Sequence, residues 1–477
     1  MPMWTCDVAD CAKPAVRNLG DCVLCKRHLC STHLQPTFHQ CPKWADADNY
    51  DPAARTAQAE ELEELIKKIN TTALETRARH LRGGIPCSIP PLEYNHATHS
   101  SVMGGMNYHV EISFDDGVKW IVRIRRFNTT SPPPALRDYI FQSEVATLKF
   151  LESINIPAPR VYDFALEGKS NPIGVGYILI EKLKGSSLQW SLATPEQGKN
   201  LMTDLADIFI QLSKHPFKLL GSLDCPTDPS HVGPFARESL TDFTPTSEML
   251  TMGPFSSWEE YHRSSLQLTL DLIRRSEMYT QRPVDAYLIH RFLLDILPTV
   301  LSSASAVDNT DGNSPRYFLK HADDKGDHIM VDEDFHITGI IDWEWAHTAP
   351  LSHAFNSPMG LLPVSEFYNS KNELGDDEVV FAELLEAKNN NNTNSSSGSH
   401  GGVDLAGCVR QGRLQHRFAF CSGYDLEDWD GFLGLFRGLR EAVGIDDGLD
   451  WDGWKRGALR RYEDDDGLRW LLRVDTT

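Results

Sequence analysis

The first long amphipathic pattern in the chain lies between residues 53 and 82 and predicts a helix. Its large apolar residues recur at spacings of three and four, which places them on one helical face: Leu62, Leu65, Ile66 and Ile69. Cations and then two glycines follow, which is the usual way for a helix to end. One continuous helix is therefore expected over 53–82.

Between residues 88 and 183 the pattern changes to short apolar and β-branched runs that predict strands. These runs are Tyr108–Phe114, Trp120–Arg126 and Tyr177–Lys182. Asp115-Asp116-Gly117 has the chemistry of a hairpin turn between the first two strands. Helical patterns are predicted at Leu136–Ser153, Gly198–Lys214 and Pro254–Arg275. A strand-rich part followed by a helix-rich part predicts an α+β protein.

Two polar segments interrupt the helix-rich part, at 308–315 and 389–402. The second is rich in asparagine, serine and glycine, and such a composition cannot bury a core. Both segments are therefore predicted to be disordered insertions.

Composition narrows the classes of function. The chain has 477 residues, 41% of them hydrophobic, which is enough for two or three folded domains. A net charge of −21 argues against nucleic acid as a partner. No apolar run approaches the roughly 20 residues of a membrane span. The first residues lack the pattern of a secretory signal, so a cytoplasmic or nuclear location is expected.

The candidate chemistry is concentrated between residues 321 and 343. Asp323 follows a histidine by two positions, and His328 lies five positions further along the same loop. A predicted strand, turn and second strand then lead to Asp342. A base and a first metal ligand on a loop, with an aspartate brought back by a hairpin, is an arrangement suited to phosphoryl transfer.

Four features upstream are consistent with the same chemistry. A glycine turn can bring backbone N–H groups close to phosphates, and a cation in mid-strand needs a partner or a ligand. An acidic residue on the following helix can pair with that cation, and an apolar strand can lead into a connection between lobes. The residues concerned are Gly104 and Gly105, Arg123, Glu144, and Glu181 with Leu183. Each has an ordinary alternative, such as a hairpin tip or a surface ion pair, but their order along the chain favours one site.

Residues 95–365 resemble the aminoglycoside phosphotransferase and choline kinase branch of the protein-kinase-like fold, in its fungal form. The matching runs are Ile156–Val161, His321-Ala322-Asp323, Ile329–Asp332 and Ile337–Ala346. The resemblance implies a bilobal fold, with a small β-rich lobe before a helical lobe. It also implies ATP, magnesium and transfer of the γ-phosphoryl group to a hydroxyl of a small molecule.

The resemblance also implies roles for individual residues. Asp323 would be the base that orients the acceptor hydroxyl, and Asp342 would chelate magnesium. Arg123 would contact the α- and β-phosphates, held by Glu144, where the family has lysine. His328 stands where the family has asparagine and is a candidate metal ligand. Two further groups complete the site by this resemblance: Lys325 near the phosphates, and the segment of Glu181 and Leu183 at the adenine edge.

The first 41 residues hold a cluster of cysteines and histidines that predicts two zinc ions. Eight soft ligands occur in four closely spaced pairs, as tetrahedral zinc sites require: Cys6, Cys11, Cys22, Cys25, Cys30, His33, His39 and Cys41. From Cys22 onward the spacing resembles the AN-one-type zinc finger. If the two sites interleave, Cys6, Cys11, Cys30 and His33 hold one ion and the other four ligands hold the second. Such fingers imply a protein partner.

The predicted organisation has four parts. They are a zinc-stabilised module at 1–43, a helical linker at 44–87, a β-rich lobe at 88–183 and a helical lobe at 184–477. The predicted function is a magnesium- and ATP-dependent phosphotransferase. The alternative is a catalytically inactive kinase-like scaffold whose zinc-binding head recruits a protein.

Overall fold

The computed structural model describes residues 2–17, 19–34, 39, 41, 43, 50–93, 106–244, 246, 248–308, 316–395, 403–424, 426, 428–445 and 448–474. The β-rich part contains a five-stranded antiparallel sheet in the order β3-β4-β5-β7-β6. Its strands are β3 Cys87–Ser88, β4 Asn107–Phe114, β5 Lys119–Arg125, β6 Val161–Ala165 and β7 Tyr177–Glu181. The predicted hairpin joins β4 to β5.

Helices pack against both faces of this sheet. Two of them precede it, α2 Tyr50–Lys68 and α3 Thr71–Leu81, following the short α1 Ser31–Leu34 in the head. Residues of α2, α3 and the sheet share one apolar core, so the predicted linker packs on the β-rich part. The third helix, α4 Pro134–Ser153, lies between β5 and β6 and starts at a proline that fits the first helical turn.

The single helix expected over 53–82 is wrong, because the chain breaks at Asn70. The Asn70 side chain accepts a hydrogen bond from the backbone of Ala73 at 3.0 Å and so caps α3. The backbone N–H of Asn70 donates to the carbonyl of Ile173 at 2.9 Å. A tertiary contact thus fixes a helix start that the apolar periodicity alone does not reveal.

The helical part carries short strands that build the site. A three-stranded sheet joins β8 Ser186–Ser187, β14 Ile329–Val331 and β15 Ile337–Ile340. A separate two-stranded sheet joins β13 Tyr317–Lys320 to β16 His347–Pro350. Two more two-stranded sheets join β9 Ser222–Leu223 to β10 Val232–Gly233, and β11 Thr241–Phe243 to β12 Met249–Thr251.

Helices form the remainder of this part. They are α5 Pro195–Ser213, α6 Trp258–Arg274, α7 Pro283–Asp308, α8 Leu351–Ala354, α9 Val364–Tyr368, α10 Asp376–Ser395, α11 Leu405–Gln411, α12 Arg413–Gly423, α13 Trp429–Ala442, α14 Trp451–Arg461 and α15 Asp466–Val474. Apolar residues of α6, α7 and α12–α15 share one core, which joins the C-terminal segment to the rest. Among the helices that the structure describes, none combines the length and apolar character that crossing a membrane requires.

The two predicted insertions have different outcomes. Helix α10 extends to Ser395, so residues 389–395 are helical where disorder was expected. The polar run there continues a helix that the preceding apolar residues anchor in the core. Residues 396–402 lie outside the described residues. Asp308 is the last residue of α7, and 309–315 also lie outside the described residues.

The N-terminal head is packed onto the rest of the protein through a buried ion pair. It contains the short hairpin of β1 Asp21–Cys22 and β2 Arg27–His28. Arg17 is 5% exposed, and its guanidinium donates to Glu277 at 2.9 Å and to the carbonyl of Thr241 at 2.8 Å. Glu277 is fully buried. The head is therefore anchored to the helical part at this point.

Arg17→Ala is expected to lower the free energy of unfolding by about 3 kcal/mol, because it leaves the buried Glu277 carboxylate without this partner. Urea denaturation followed by tryptophan fluorescence measures the change. Lys26→Ala is the matched control, since Lys26 pairs with Glu64 at 3.4 Å in solvent and its loss should cost less than about 0.5 kcal/mol. Equal effects of the two substitutions would contradict the anchoring role of Arg17.

Candidate active site and metal-ligand groups

Arg123 is the centre of a buried charge network. It lies in the middle of β5, on the face opposite the core residues Val122 and Ile124, and is 8% exposed. Its Nη1 donates to Glu144 of α4. Its Nη2 donates to Asp342 at 2.8 Å and to Glu344 at 3.1 Å. One guanidinium thus joins the sheet, α4 and the segment that follows β15.

Two further residues complete the network. Arg125, two positions after Arg123 on the same face of β5, donates to the buried Glu344. With its amide oxygen turned towards Arg123, Asn107 accepts from Nη2 at 2.7 Å and from Nε at 2.9 Å. Sequence reasoning assigned no role to Glu344 or Arg125. The available signal was the second inward cation on β5, which requires a second buried acid.

Asp342 is the most exposed member of the network. Its side chain is 57% exposed, and its φ of +62° lies in the left-handed region, which aspartate tolerates better than most residues. Among the described residues, Arg123 is the one hydrogen-bond partner of this carboxylate. Its second oxygen accepts no hydrogen bond from the described residues. A hard, exposed oxygen fits a magnesium ion.

His321 holds the predicted catalytic loop against the end of β15. Its Nδ1 accepts from the backbone N–H of Asp323 at 3.2 Å, and its Nε2 donates to the carbonyl of Ile341 at 3.0 Å. Burial lowers the pKa of His321, so the ring is neutral. A single imidazole therefore bridges the backbone N–H of Asp323 and the carbonyl of Ile341, the residue before Asp342.

His328 is buried against the His321 ring, with the ring centroids 4.2 Å apart. Burial and the neighbouring His321 lower the pKa of His328 to about 3. Its Nδ1 accepts from the backbone N–H of Gly326 at 3.3 Å, so the single proton of the neutral ring lies on Nε2. Neither ring nitrogen then offers a free lone pair, and this arrangement does not favour His328 as a metal ligand.

The loop carboxylates have different environments. The Asp323 side chain is 43% exposed and accepts from Lys325 Nζ at 3.1 Å. Asp324 is turned inward, towards Lys320 Nζ at 3.3 Å. Burial opposes ionisation of Asp324, but Lys320 and the nearby histidines together outweigh burial and lower the pKa. Asp323 is thus the loop carboxylate more open to a ligand.

The connection between the two parts of the chain runs over the β14–β15 hairpin. The backbone N–H of Glu181 donates to the carbonyl of Arg160 at 2.9 Å, at the end of β7. Leu183 packs against Gly339, where a Cβ would lie 2.3 Å from the leucine Cδ1. A larger residue at 339 would therefore displace this connection. Gly104 and Gly105, the predicted phosphate turn, lie outside the described residues.

A cavity of about 240 Å³ adjoins the loop on the side of α5. Its apolar wall includes Leu188, Trp190 and Leu361, and the loop from Asp324 to Asp327 contributes the polar wall. The cavity therefore combines an apolar surface with charged groups next to the predicted base.

The eight cysteine and histidine ligands form two groups in the head. They are Cys6, Cys11, Cys30 and His33, and Cys22, Cys25, His39 and Cys41, with the ligand atoms of each group within 4.8 Å of one another. These are the groups that interleaved sites predict.

Distances within the groups fit tetrahedral zinc. The Cys11–Cys30 and Cys22–Cys41 sulfur pairs are each 3.9 Å apart. Zinc–sulfur bonds of about 2.3 Å give tetrahedral edges of about 3.8 Å. Burial and the neighbouring thiols raise the pKa of Cys25 to about 12, so a cation is needed to hold it as a thiolate.

Comparison with known proteins decides the family. The sequence profile of the phosphotransferase enzyme family, APH, matches residues 104–355, more than half of the chain. The chain belongs to this family. The predicted α+β, protein-kinase-like fold is thereby confirmed, and with it the general class of kinase-like phosphotransferases. The matched range contains Arg123, Glu144, Asp323 and Asp342.

Curated fungal proteins are similar to part of this chain. A subtelomeric hrmA-associated cluster protein of Aspergillus fumigatus is 28% identical over 173 residues, covering 35% of this chain and 31% of that protein. Clavilactone A biosynthesis cluster protein Y of Ampulloclitocybe clavipes is 27% identical over 272 residues, covering 54% of this chain and 62% of that protein. The chain thus spans about a third of the length of the first relative.

The similarity to solved structures is more distant. A thermostable mutant of aminoglycoside phosphotransferase APH(4)-Ia, in ternary complex with AMP-PNP and hygromycin B, is 14% identical with a TM-score of 0.38. That similarity covers 79% of this chain and 100% of the other. Macrolide 2'-phosphotransferase type I is 17% identical with a TM-score of 0.33, covering 79% and 97%.

Proposed function

We propose that this APH-family protein transfers the γ-phosphoryl group of ATP to a hydroxyl of a small molecule in a magnesium-dependent reaction. The observation that carries the proposal is the contact of Arg123 with both Glu144 and Asp342. It brings a phosphate-binding cation and a magnesium-binding carboxylate to one place, as phosphoryl transfer requires.

Magnesium-bound ATP would supply the phosphoryl group and neutralise part of its charge. Asp342 would hold the ion through its exposed carboxylate, and Arg123, in contact with it, would bind the phosphates. Asp323 would orient the acceptor hydroxyl and accept its proton as the new oxygen–phosphorus bond forms and the γ-phosphorus bond to ADP breaks. Lys325, 3.1 Å from Asp323, would add positive charge near the transferred group.

The cavity beside the loop supports an acceptor with an apolar portion. Its leucine and tryptophan walls lie next to Asp324 and Lys325, within reach of the loop that carries the proposed base. Such a position would leave one hydroxyl of the acceptor near Asp323. The acceptor's identity is otherwise open, and a cytoplasmic or nuclear location stays a prediction.

Zinc in the head is the second part of the proposal. Two groups of four soft ligands at tetrahedral spacing support two structural zinc ions, one in each group. A segment of this length has few large apolar residues, so metal binding would contribute much of its folding free energy.

Asp342→Asn is expected to abolish magnesium-dependent binding of ATP, because the amide offers a neutral oxygen where the ion needs a carboxylate. Asparagine also tolerates the left-handed backbone at this position. Thermal-shift and calorimetric titration with magnesium and ATP measure the change. Asp334→Ala, on an exposed turn, is the control and should bind as the unmodified protein does. The nucleotide proposal fails if the unmodified protein shows neither a thermal shift nor binding heat.

Asp323→Asn separates the enzyme from the inactive scaffold. If Asp323 is the base, this substitution should leave ATP binding intact and slow phosphoryl transfer by about 100-fold or more. Single-turnover loss of ATP, with a metabolite mixture as acceptor source, measures the rate. Equal rates for the two proteins would favour the scaffold.

Cys30→Ser removes a ligand from the first group and should lower the zinc content from about two ions to about one per chain. Elemental analysis of the purified protein measures this content. Cys225→Ser is the matched control, because Cys225 lies outside both groups, and it should retain both ions. A full zinc content in Cys30→Ser would contradict the assignment.

A further inference from the structure

We propose that the zinc-binding head supports the phosphotransferase site by packing on the helix that carries Glu144. Trp4 is the positioning residue for this helix. The inference rests on the proposed function for its catalytic meaning, but its structural part can be tested alone. It assigns the head a role inside the chain in place of the recruitment of a separate protein.

Trp4 is held in place by the folded head. Its carbonyl accepts from the backbone N–H of Ala15 at 2.9 Å, and it lies two residues before the predicted ligand Cys6. Its ring stacks on His28, with the centroids 4.9 Å apart and the planes 14° from parallel. The backbone N–H of His28 donates to Asp7 at 2.7 Å. The position of Trp4 thus follows from the fold that the ligand groups organise.

Beyond the head, Met3 and Trp4 pack on α4. They share an apolar cluster with Leu136 and Ile140, which are at most 2% exposed. These two residues precede Glu144 by eight and four positions, so all three lie along one side of the helix. The cluster therefore packs against the side of α4 from which Glu144 contacts Arg123.

The same cluster reaches the segment that carries the other acids. Trp345, next to Glu344 and three residues after Asp342, packs against it, as do Phe243 and Met249 of the β11–β12 pair. Trp345 has a φ of +63°, a conformation that tryptophan rarely adopts and that its surroundings must maintain. The cluster is thus in contact with both sides of the Arg123 network.

The head is also fixed at a second and a third point. Arg17 is anchored to Glu277 in the helical part, and His28 Nε2 lies 3.0 Å from the carbonyl of Thr129, between β5 and α4. A module that contacts both parts of the chain restrains the approach of α4 to the helical part. The contacts of Arg123 with Asp342 and Glu344 depend on that approach.

Trp4→Ala tests the inference, with Trp470→Ala as control because Trp470 is 39% exposed on α15. The measurements on the full-length protein are zinc content, the Kd for magnesium with a non-hydrolysable ATP analogue, and hydrogen–deuterium exchange of peptides from 134–153. Trp4→Ala should retain its zinc, exchange faster in α4 and bind the analogue about fivefold or more weakly. Trp4→Phe, which keeps an aromatic ring in the cluster, should restore most of the affinity.

Three outcomes would decide the matter. If Trp4→Ala leaves hydrogen–deuterium exchange in α4 unchanged, the proposal that the head restrains this helix is wrong, whatever the nucleotide affinity. Faster exchange with an unchanged Kd overturns the positioning role of Trp4. If the unmodified protein does not bind the analogue at all, the proposed function fails. Exchange in α4 then still reports whether the head restrains the helix, which keeps the two failures distinguishable.

Discussion

The buried charge of Arg123 is the constraint on which the arrangement of the site depends. A guanidinium in mid-strand is costly to bury, and acids from α4 and from the segment after β15 compensate it. A lysine ammonium is a compact point charge, whereas arginine offers separate donors in a planar fork. Arg123 can therefore engage Glu144 through one nitrogen while the other contacts Asp342 and Glu344. The forked side chain of Arg123 thus accommodates Glu344 as a third acidic partner.

The histidines of the loop contribute shape instead of charge. His321 and His328 are buried and stacked, and burial keeps both neutral. Through its two nitrogens, His321 links the backbone of the loop to the end of β15. The loop geometry thus relies on hydrogen bonds that need no charge. The metal coordination proposed for this site therefore depends on Asp342, whose exposed carboxylate lies beside these histidines.

Local patterns in the sequence predicted what depends on local structure. The strands around Arg123 and the helix around Glu144 agree with the alternation and periodicity to within about two residues. Contacts between distant segments were not predictable in this way. Asn70 ends a helix partly through a bond to Ile173, and Arg17 meets a partner 260 residues away. The pairing of Glu344 with Arg125 likewise depends on how two parts of the chain meet.

The packing of the head changes what a metal-stabilised module implies. A tethered finger could lose its metal without effect on a separate catalytic part. Here the residues that contact α4 and the helical part are close to the ligands in the chain: Trp4 lies two residues before Cys6, and Arg17 lies between Cys11 and Cys22. If those ligands hold zinc, the free energy of metal binding is also free energy of packing between the two parts. Metal occupancy, the position of α4 and the environment of Arg123 then form one coupled system.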